Sequence, residues 1–263
     1  MEIGPVTIHY YALCILIGIA VAVWVGQVRY KNFGGDPEDI SEAAVWAIPA
    51  GIIGGRIYHV ITTPEKYFGE YGTPIDALKI WEGGLGIWGA ISLGAFAAYL
   101  YFRSHKTTLP FPYFLDSVAP GILLAQAIGR VGNWFNVELF GSPSTLPWAL
   151  SVPKFDRPFG YKEFESFHPT FLYELIWCSA LAFLIIKMPS WLKKFTTKPG
   201  DIFAIYVFGY TAGRLWIEAL RIDTANLILG LRLNIWVSLL VLLASAAYLY
   251  KSRGFTKNKK TSD

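Results

Sequence analysis

The sequence predicts an all-α polytopic membrane protein with seven transmembrane helices, N-terminus outside and C-terminus inside, and a small head insertion on the outer face. Three observations carry that prediction. Hydrophobic residues make up 54% of the 263 and charged residues only 16%, with a mean hydropathy of +0.40, above the balance of a water-soluble domain. Apolar stretches recur at 8–28, 41–62, 85–102, 116–134, 170–187, 201–220 and 232–250, and a bilayer-crossing helix needs about 20 residues. The basic residues alternate unevenly between connections. With the N-terminus outside, the inner segments hold thirteen: Arg29, Lys31, Arg103, Lys106, Lys187, Lys193, Lys194, Lys198, Lys251, Arg253, Lys257, Lys259 and Lys260. The outer segments hold seven, Lys66, Lys79, Lys154, Arg157, Lys162, Arg221 and Arg232. The inner excess sets the orientation.

The same composition narrows the function classes. Cys14 and Cys178 both fall in apolar runs, as small buried hydrophobes, with neither a disulfide framework nor metal-ligand spacing. No metal or cofactor is expected. The basic tail 251–263 reads as a solvated cytoplasmic anchor of the topology rather than a nucleic-acid patch. The N-terminus has no basic stretch followed by a small-residue cleavage site, so no cleaved signal peptide is expected. The organisation is then helices one to four in 1–136, the outer-face head in 137–168, helices five to seven in 169–250, and the tail.

Span one opens at His9-Tyr10-Tyr11-Ala12-Leu13, where paired tyrosines suit the membrane interface. A turn at Gly34-Gly35-Asp36-Pro37 leads to span two, with Ser41 as its N-cap and Pro49 as a kink. The segment Gly54-Gly55-Arg56-Ile57-Tyr58-His59 combines small residues for close packing with an arginine expected to meet a carboxylate on a neighbouring helix. After the outer loop 63–84, glycines at 83, 84, 86 and 89 imply irregular backbone that lines a cavity or packs tightly. A basic, proline-bearing inner loop from Arg103 to Pro112 joins spans three and four, and Pro120 lies early in span four. Residues 137–168 are turn-rich and too few to fold without the membrane core. His168-Pro169 opens span five as a cap or turn. Span six carries Tyr210, Arg214 and Glu218 at helical spacing, with Arg221 three further on. The Arg-before-Glu order is the weaker one for a helix pair, so a buried ion pair or an anion explains it better than helix stability. Span seven anchors.

The most informative stretch is Ile128-Gly129-Arg130-Val131-Gly132-Asn133-Trp134-Phe135-Asn136-Val137-Glu138-Leu139-Phe140-Gly141, which closes span four. An arginine at membrane depth costs about 2.5–3.5 kcal/mol on insertion scales, so Arg130 requires a carboxylate or a bound anion. Arg130 and Asn133 share one helix face. Gly129 and Gly132 let a backbone or a lipid headgroup come close.

This stretch, G-R-x-G-N-[FW]-x-N-x-E-x-x-G, resembles the signature of the prolipoprotein diacylglyceryl transferase family. Further segments agree: the Tyr11 region resembles an R-W-Y-G-L motif with His9 in the arginine's place, and Gly54–His59 resembles G-A-R-x-x-Y. His168-Pro169-Thr170-Phe171-Leu172-Tyr173-Glu174 resembles H-P-x-Q-L-Y-E, and Tyr210–Arg221 resembles Y-x-x-x-R-[FL]-x-x-E-x-x-R. One departure matters. Trp88 stands where the familiar pattern has a histidine that is a candidate catalytic base.

The resemblance implies transfer of the diacylglyceryl group from phosphatidylglycerol to the lipobox cysteine of a prolipoprotein signal peptide, forming a thioether and releasing glycerol phosphate. It implies a multi-pass protein of the bacterial cytoplasmic membrane, embedded in the lipid bilayer, with its site toward the outer face. Arg130 and Arg214 are then the phosphate-binding catalytic residues, because arginine stays charged and meets phosphate through two N–H groups. Glu138, His168 and Tyr210 are candidates for favouring the thiolate. Asn133, Gly141 and Tyr11 join the arginines in binding phosphatidylglycerol, while Glu218, Asn136 and Arg56 support. The alternative is a transporter or channel for an organic anion, which predicts matched repeats or broken helices; neither is visible. The topology predicts that a reporter fused after Asp263 stays on the cytoplasmic side, and its detection at the outer face would overturn the orientation.

Overall fold

A computed structural model describes residues 2–3, 6–7, 10–136, 138–223, 225 and 227–260, with main chain alone at 2–3, 6–7, 82 and 254–260. The expectation for His9 and the last three residues of the tail lie outside the described residues. Among the described residues the protein is helical, with three two-stranded antiparallel sheets. Its long helices are α1 (Tyr10–Asn32), α2 (Pro37–Thr62), α3 (Ile87–Ser104), α4 (Phe111–Phe135), α5 (Thr170–Lys187), α6 (Asp201–Leu220) and α7 (Leu233–Lys260). They stand where the apolar stretches predict helices.

Among the described residues, five segments are long and apolar enough to cross a membrane: α1, α2, α4, α5 and Leu233–Arg253 of α7. In α3 glycines, serines and aromatics dilute the apolar run, and α6 carries Asp201, Arg214 and Glu218. Many large apolar side chains are exposed, including Leu16, Trp24, Ile61, Phe183, Leu240 and Leu243. Such a surface is unfavourable in water and suited to lipid.

Helix ends differ from the sequence expectation in ways that local chemistry explains. α2 starts one turn before Ser41, because Asp36 is the N-cap, accepting the Glu38 amide at 3.0 Å, and Pro37 takes the first helical position. Ser41 instead accepts Gln27 Nε2 at 2.7 Å. α4 begins at Phe111 rather than near 116. The main chain of α7 runs on past the expected boundary at 250 to Lys260.

The helices form two compact units. One comprises Gln27–Phe114. In it the small faces of α2 and α3 meet so closely that a Cβ on Gly54 would collide with the Gly89 carbonyl and lie 2.6 Å from Leu93 Cβ. Backbones approach in this way only where side chains are absent. Tyr30 is fully buried and its hydroxyl donates to Leu109 O at 2.8 Å. Asp39 accepts Thr108 N at 2.9 Å and Thr108 Oγ1 at 2.6 Å.

Arg56 corrects an expectation. Instead of a carboxylate on a neighbouring helix, its donors meet main-chain oxygens: Ala77 O at 2.8 Å, Gly83 O at 2.5 Å, Gly84 O at 3.1 Å, and Asp76 O. The guanidinium lies 5.3 Å from the Tyr67 ring centroid. A loop bent back over the α2 end offers converging carbonyls, and a planar cation with five donors satisfies several at once. Arg56 therefore clamps the 76–84 loop, and it does so within this unit.

The other unit comprises Met1–Gly26 and Leu115–Asp263. Ala119, Leu123 and Ala127 of α4, Cys178, Ala182 and Ile185 of α5, and Ile202, Ile205 and Tyr206 of α6 form its core. The start of α6 is fastened twice. Asp116 of α4 accepts Gly200 N at 2.8 Å and Phe203 N at 2.9 Å, a carboxylate on the helix's positive end. Fully buried Asp201 accepts Thr197 N at 2.7 Å, Lys198 N at 2.9 Å and Ser252 Oγ at 2.8 Å. Between α4 and α5, strands Leu150–Ser151 and Ser166–Phe167 pair over a small core of Phe140, Val152 and Phe167.

Candidate functional site

Each charged group in an apolar helix needs a partner, and in this unit the partners are one another. Glu174 sits in the first turns of α5, an otherwise apolar helix, with its side chain 4% exposed. Its carboxylate divides between two helices. Oε1 meets Arg130 Nη2 of α4 at 3.1 Å, and Oε2 meets Arg214 Nη1 of α6 at 2.9 Å. The Tyr210 hydroxyl, one turn before Arg214, donates to Oε1 at 3.1 Å.

The network continues both ways. Arg130 Nη1 donates to Asn133 Oδ1 at 3.0 Å, and Asn133 Nδ2 donates to Glu138 Oε1 at 2.9 Å. Asn136 Nδ2 reaches the same oxygen at 3.0 Å. On the other side, Arg214 Nη2 meets Glu218 Oε2 at 2.5 Å. Glu218 is fully buried and is also reached by Arg232 Nε at 2.8 Å, Asn234 Nδ2 at 3.1 Å and Arg221 Nη1 at 3.8 Å. Arg221 and Arg232 end on Asp223, at 2.7 and 2.9 Å.

Four guanidinium groups thus face three carboxylates, with Glu138 exposed at the edge. The interior balance is one positive charge. The Arg130 side chain is 21% exposed, and its buried Nε–H donates to none of the described residues. A net-positive, partly open pair of arginines is suited to an anion. No group of three or more His, Cys, Asp or Glu with metal-holding geometry occurs among the described residues.

Arg130, Asn133, Asn136, Glu138, Tyr210, Arg214 and Glu218 are therefore one connected constellation. Tyr11 lies beside it, its ring packed where a Cβ on Gly132 would fall. Gly141 has a backbone role: its amide donates to His168 O at 2.7 Å, and an added Cβ would meet Leu220 O and Thr170 Cγ2 at 2.8 Å. This close packing accounts for the glycine without a ligand.

His168 is placed differently. Its Nδ1 is 3.0 Å from the Tyr173 hydroxyl, which also accepts Trp148 Nε1 at 3.1 Å. No hydrogen bond among the described residues ties it to the arginines. It lines a cleft of about 690 Å³ with Ser144, Leu146, Glu163 and Glu165. Arg56 and Trp88 belong to the other compact unit.

Five members escaped the sequence reading as site residues: Glu174, Arg221, Asp223, Arg232 and Asn234. Glu174 was visible as an acid inside an apolar helix, and the cost of burying it was itself the signal. Arg232 and Asn234 stood among outer-loop and helix-start residues, and nothing in their spacing links them to Glu218.

Two predictions follow from this geometry. Glu174→Gln leaves two buried guanidinium groups without their shared counter-charge, and should cost about 3–5 kcal/mol of stability. Unfolding in detergent would measure it, and an unchanged midpoint would show that the carboxylate does not hold the helices. The second concerns Asp223, outside the spans. Burial alone would raise its carboxyl, but the Arg221 hydrogen bond and the charges of Arg221 and Arg232 prevail and hold it below the ordinary 3.8. The stability it lends is complete above that ordinary value and is lost as pH falls through the lower folded value. The stability difference between wild type and Asp223→Asn should therefore be present near pH 7 and shrink below about pH 4.

Comparison with known proteins gives a consistent result. The family model for prolipoprotein diacylglyceryl transferase matches residues 1–251. Phosphatidylglycerol–prolipoprotein diacylglyceryl transferase 2 of Streptomyces coelicolor is 51% identical over 252 residues, covering 96% of this chain and 78% of the relative. The phosphatidylglycerol–prolipoprotein diacylglyceryl transferase of Bifidobacterium adolescentis is 51% identical over 250 residues, covering 91% and 74%. That of Corynebacterium efficiens is 48% identical over 264 residues, covering 96% and 80%.

Proposed function

This chain belongs to the prolipoprotein diacylglyceryl transferase family, and we propose that it moves the diacylglyceryl group of phosphatidylglycerol onto the cysteine thiol of prolipoprotein signal peptides, the first step of lipoprotein maturation. The protein is a transferase of the membrane. In this reading all seven long helices span the bilayer, the N-terminus lies outside and the C-terminus inside, and residues 137–168 form a head over the outer face. The membrane is the bacterial cytoplasmic membrane, and the acceptor cysteine lies in a lipobox.

The reaction sets the demands on the site. The cysteine sulfur attacks the glycerol carbon that bears the phosphate, a C–S bond forms, and the C–O bond breaks. Glycerol phosphate leaves with the electron pair, and the thiol proton passes to a base. Negative charge therefore grows on the phosphate in the transition state, and fixed cations there accelerate the step. The observation that supports this reading is the carboxylate of Glu174 shared between Arg130 and Arg214. It keeps two guanidinium groups from different helices side by side, with the Arg130 side chain partly exposed.

In this mechanism Arg130 and Arg214 bind the phosphate, Asn133 orients Arg130, and Glu218 orients Arg214. Asn136 supports Glu138, Tyr11 and the Gly141 main chain border the lipid, and Arg56 acts as a loop clamp. Trp88 has only an N–H donor and accepts no proton, so thiol activation rests elsewhere. Glu138 or His168 takes the proton, and the arginines favour the thiolate by their field. Tyr210, donating to Glu174, is the less available of the three candidates.

A transfer assay with phosphatidylglycerol and a lipobox peptide tests the whole reading, and failure of the wild type to lipidate the peptide would reject it. Uptake of phosphorylated solutes in place of transfer would favour the transporter alternative. Arg130→Lys keeps the charge but loses the paired N–H contact, so transfer should collapse while the protein still inserts. Near-normal transfer would remove Arg130 from the phosphate site. For the base, the pH–rate profile is the measurement. If Glu138→Gln and His168→Gln each leave rate and pH dependence unchanged, neither takes the proton.

A further inference from the structure

Glu218 has two oxygens and they are used differently. Oε2 holds Arg214 at 2.5 Å, with Arg221 more distant at 3.8 Å. Oε1 is filled by Arg232 Nε at 2.8 Å and Asn234 Nδ2 at 3.1 Å. Both come from beyond the arginine motif of α6. Arg232 ends, and Asn234 follows, a hairpin in which Leu227–Ile228 pairs with Leu231–Arg232 through a turn at Leu229 and Gly230, both at positive φ.

Arg232 reaches several groups at once, the Arg221 carbonyl among them at 3.4 Å. Besides Glu218, its Nη2 meets Asp223 Oδ2 at 2.9 Å and its Nη1 donates to Asp223 O at 2.7 Å. The planar fork thus ties the start of α7 to the end of α6 and to a buried acid. A buried carboxylate held through only one oxygen can turn about its own side-chain bonds. Held through both, it fixes the plane in which Arg214 is presented.

We infer that Arg232, supported by Asn234, is a positioning residue for diacylglyceryl transfer: by occupying one oxygen of Glu218 it sets the orientation of Arg214. The inference rests on the reading of Arg214 as a contact to the lipid phosphate. It assigns the α6–α7 connection a task in the reaction as well as in the fold. Arginine suits this role, since its planar fork meets Glu218 through Nε and Asp223 through Nη2 at once.

The test uses the full chain reconstituted with radiolabelled phosphatidylglycerol and a lipobox peptide, so that slow turnover stays measurable. Arg232→Gln should lower kcat roughly 10- to 100-fold, with a smaller change in KM for the lipid. Arg232→Lys should recover part of the loss, and Asn234→Ala should fall between that variant and wild type. The deciding measurement is a double-mutant cycle with Arg214→Lys. If Arg232 acts through Arg214, adding Arg232→Gln to Arg214→Lys costs less than about threefold, because the group being oriented is already altered. Equal losses in both backgrounds would show that Arg232 supports only the fold, and would overturn the inference. Should Arg232→Gln fail to fold, Arg232→Lys and Asn234→Ala enter the same cycle and decide it by the same criterion. An active wild type with an indistinguishable Arg232→Gln rejects this inference alone. An inactive wild type rejects the proposed function instead.

Discussion

The carboxylate of Glu174, divided between Arg130 and Arg214, is the interaction on which the rest of this unit depends. Ions removed from water lose several kcal/mol each, and their mutual attraction compensates only when geometry is good and every donor and acceptor is used. Here three helices converge so that these conditions are largely met, although the buried Arg130 Nε has no partner among the described residues. Glu174 accepts from both arginines and from Tyr210, and each arginine has a second partner, Asn133 or Glu218. The small residues of α4 and the apolar core below allow α4, α5 and α6 to approach closely enough. The fastening of the α6 start by Asp116 and Asp201 holds that helix at its other end.

The unit Gln27–Phe114 solves a similar problem by other means. Arg56 is buried, and its donors are met by main-chain carbonyls of the 76–84 loop, with Tyr67 beneath. Carbonyl dipoles disperse the charge without a counter-ion, at the expense of forcing the loop into a narrow set of conformations. The result is a clamp. Its chemistry suits holding backbone, whereas the Arg130–Arg214 pair, with more positive than negative charge, suits receiving an anion.

Much of this was legible in the sequence because lipid imposes a plain rule. Long apolar runs must become helices, and all seven runs did so to within a few residues at most ends. The exceptions follow from local chemistry that hydropathy does not register: Asp36 capped α2 ahead of Ser41, and the main chain of α7 continued through a polar tail. For the site, the price of burying charge pointed to Arg130, Arg214 and Glu218 before any contact was known. Partners supplied by main chain, as for Arg56, leave no side-chain signature. Partners that arrive from a distant hairpin, as Arg232 and Asn234 do, leave none either, since their pairing exists only after the chain has folded.

The sharing of Glu174 has a bearing on how firmly any anion is gripped. Both guanidinium groups near the proposed phosphate are already held by carboxylates, so an arriving headgroup must compete with Glu174 and Glu218 for them. Ground-state affinity is thereby kept modest, while a phosphate that becomes more negative competes better. An enzyme that meets its donor within a crowded two-dimensional solvent has little use for tight capture. Loose engagement lets a spent headgroup leave, and the next lipid drift in, without a slow step of release.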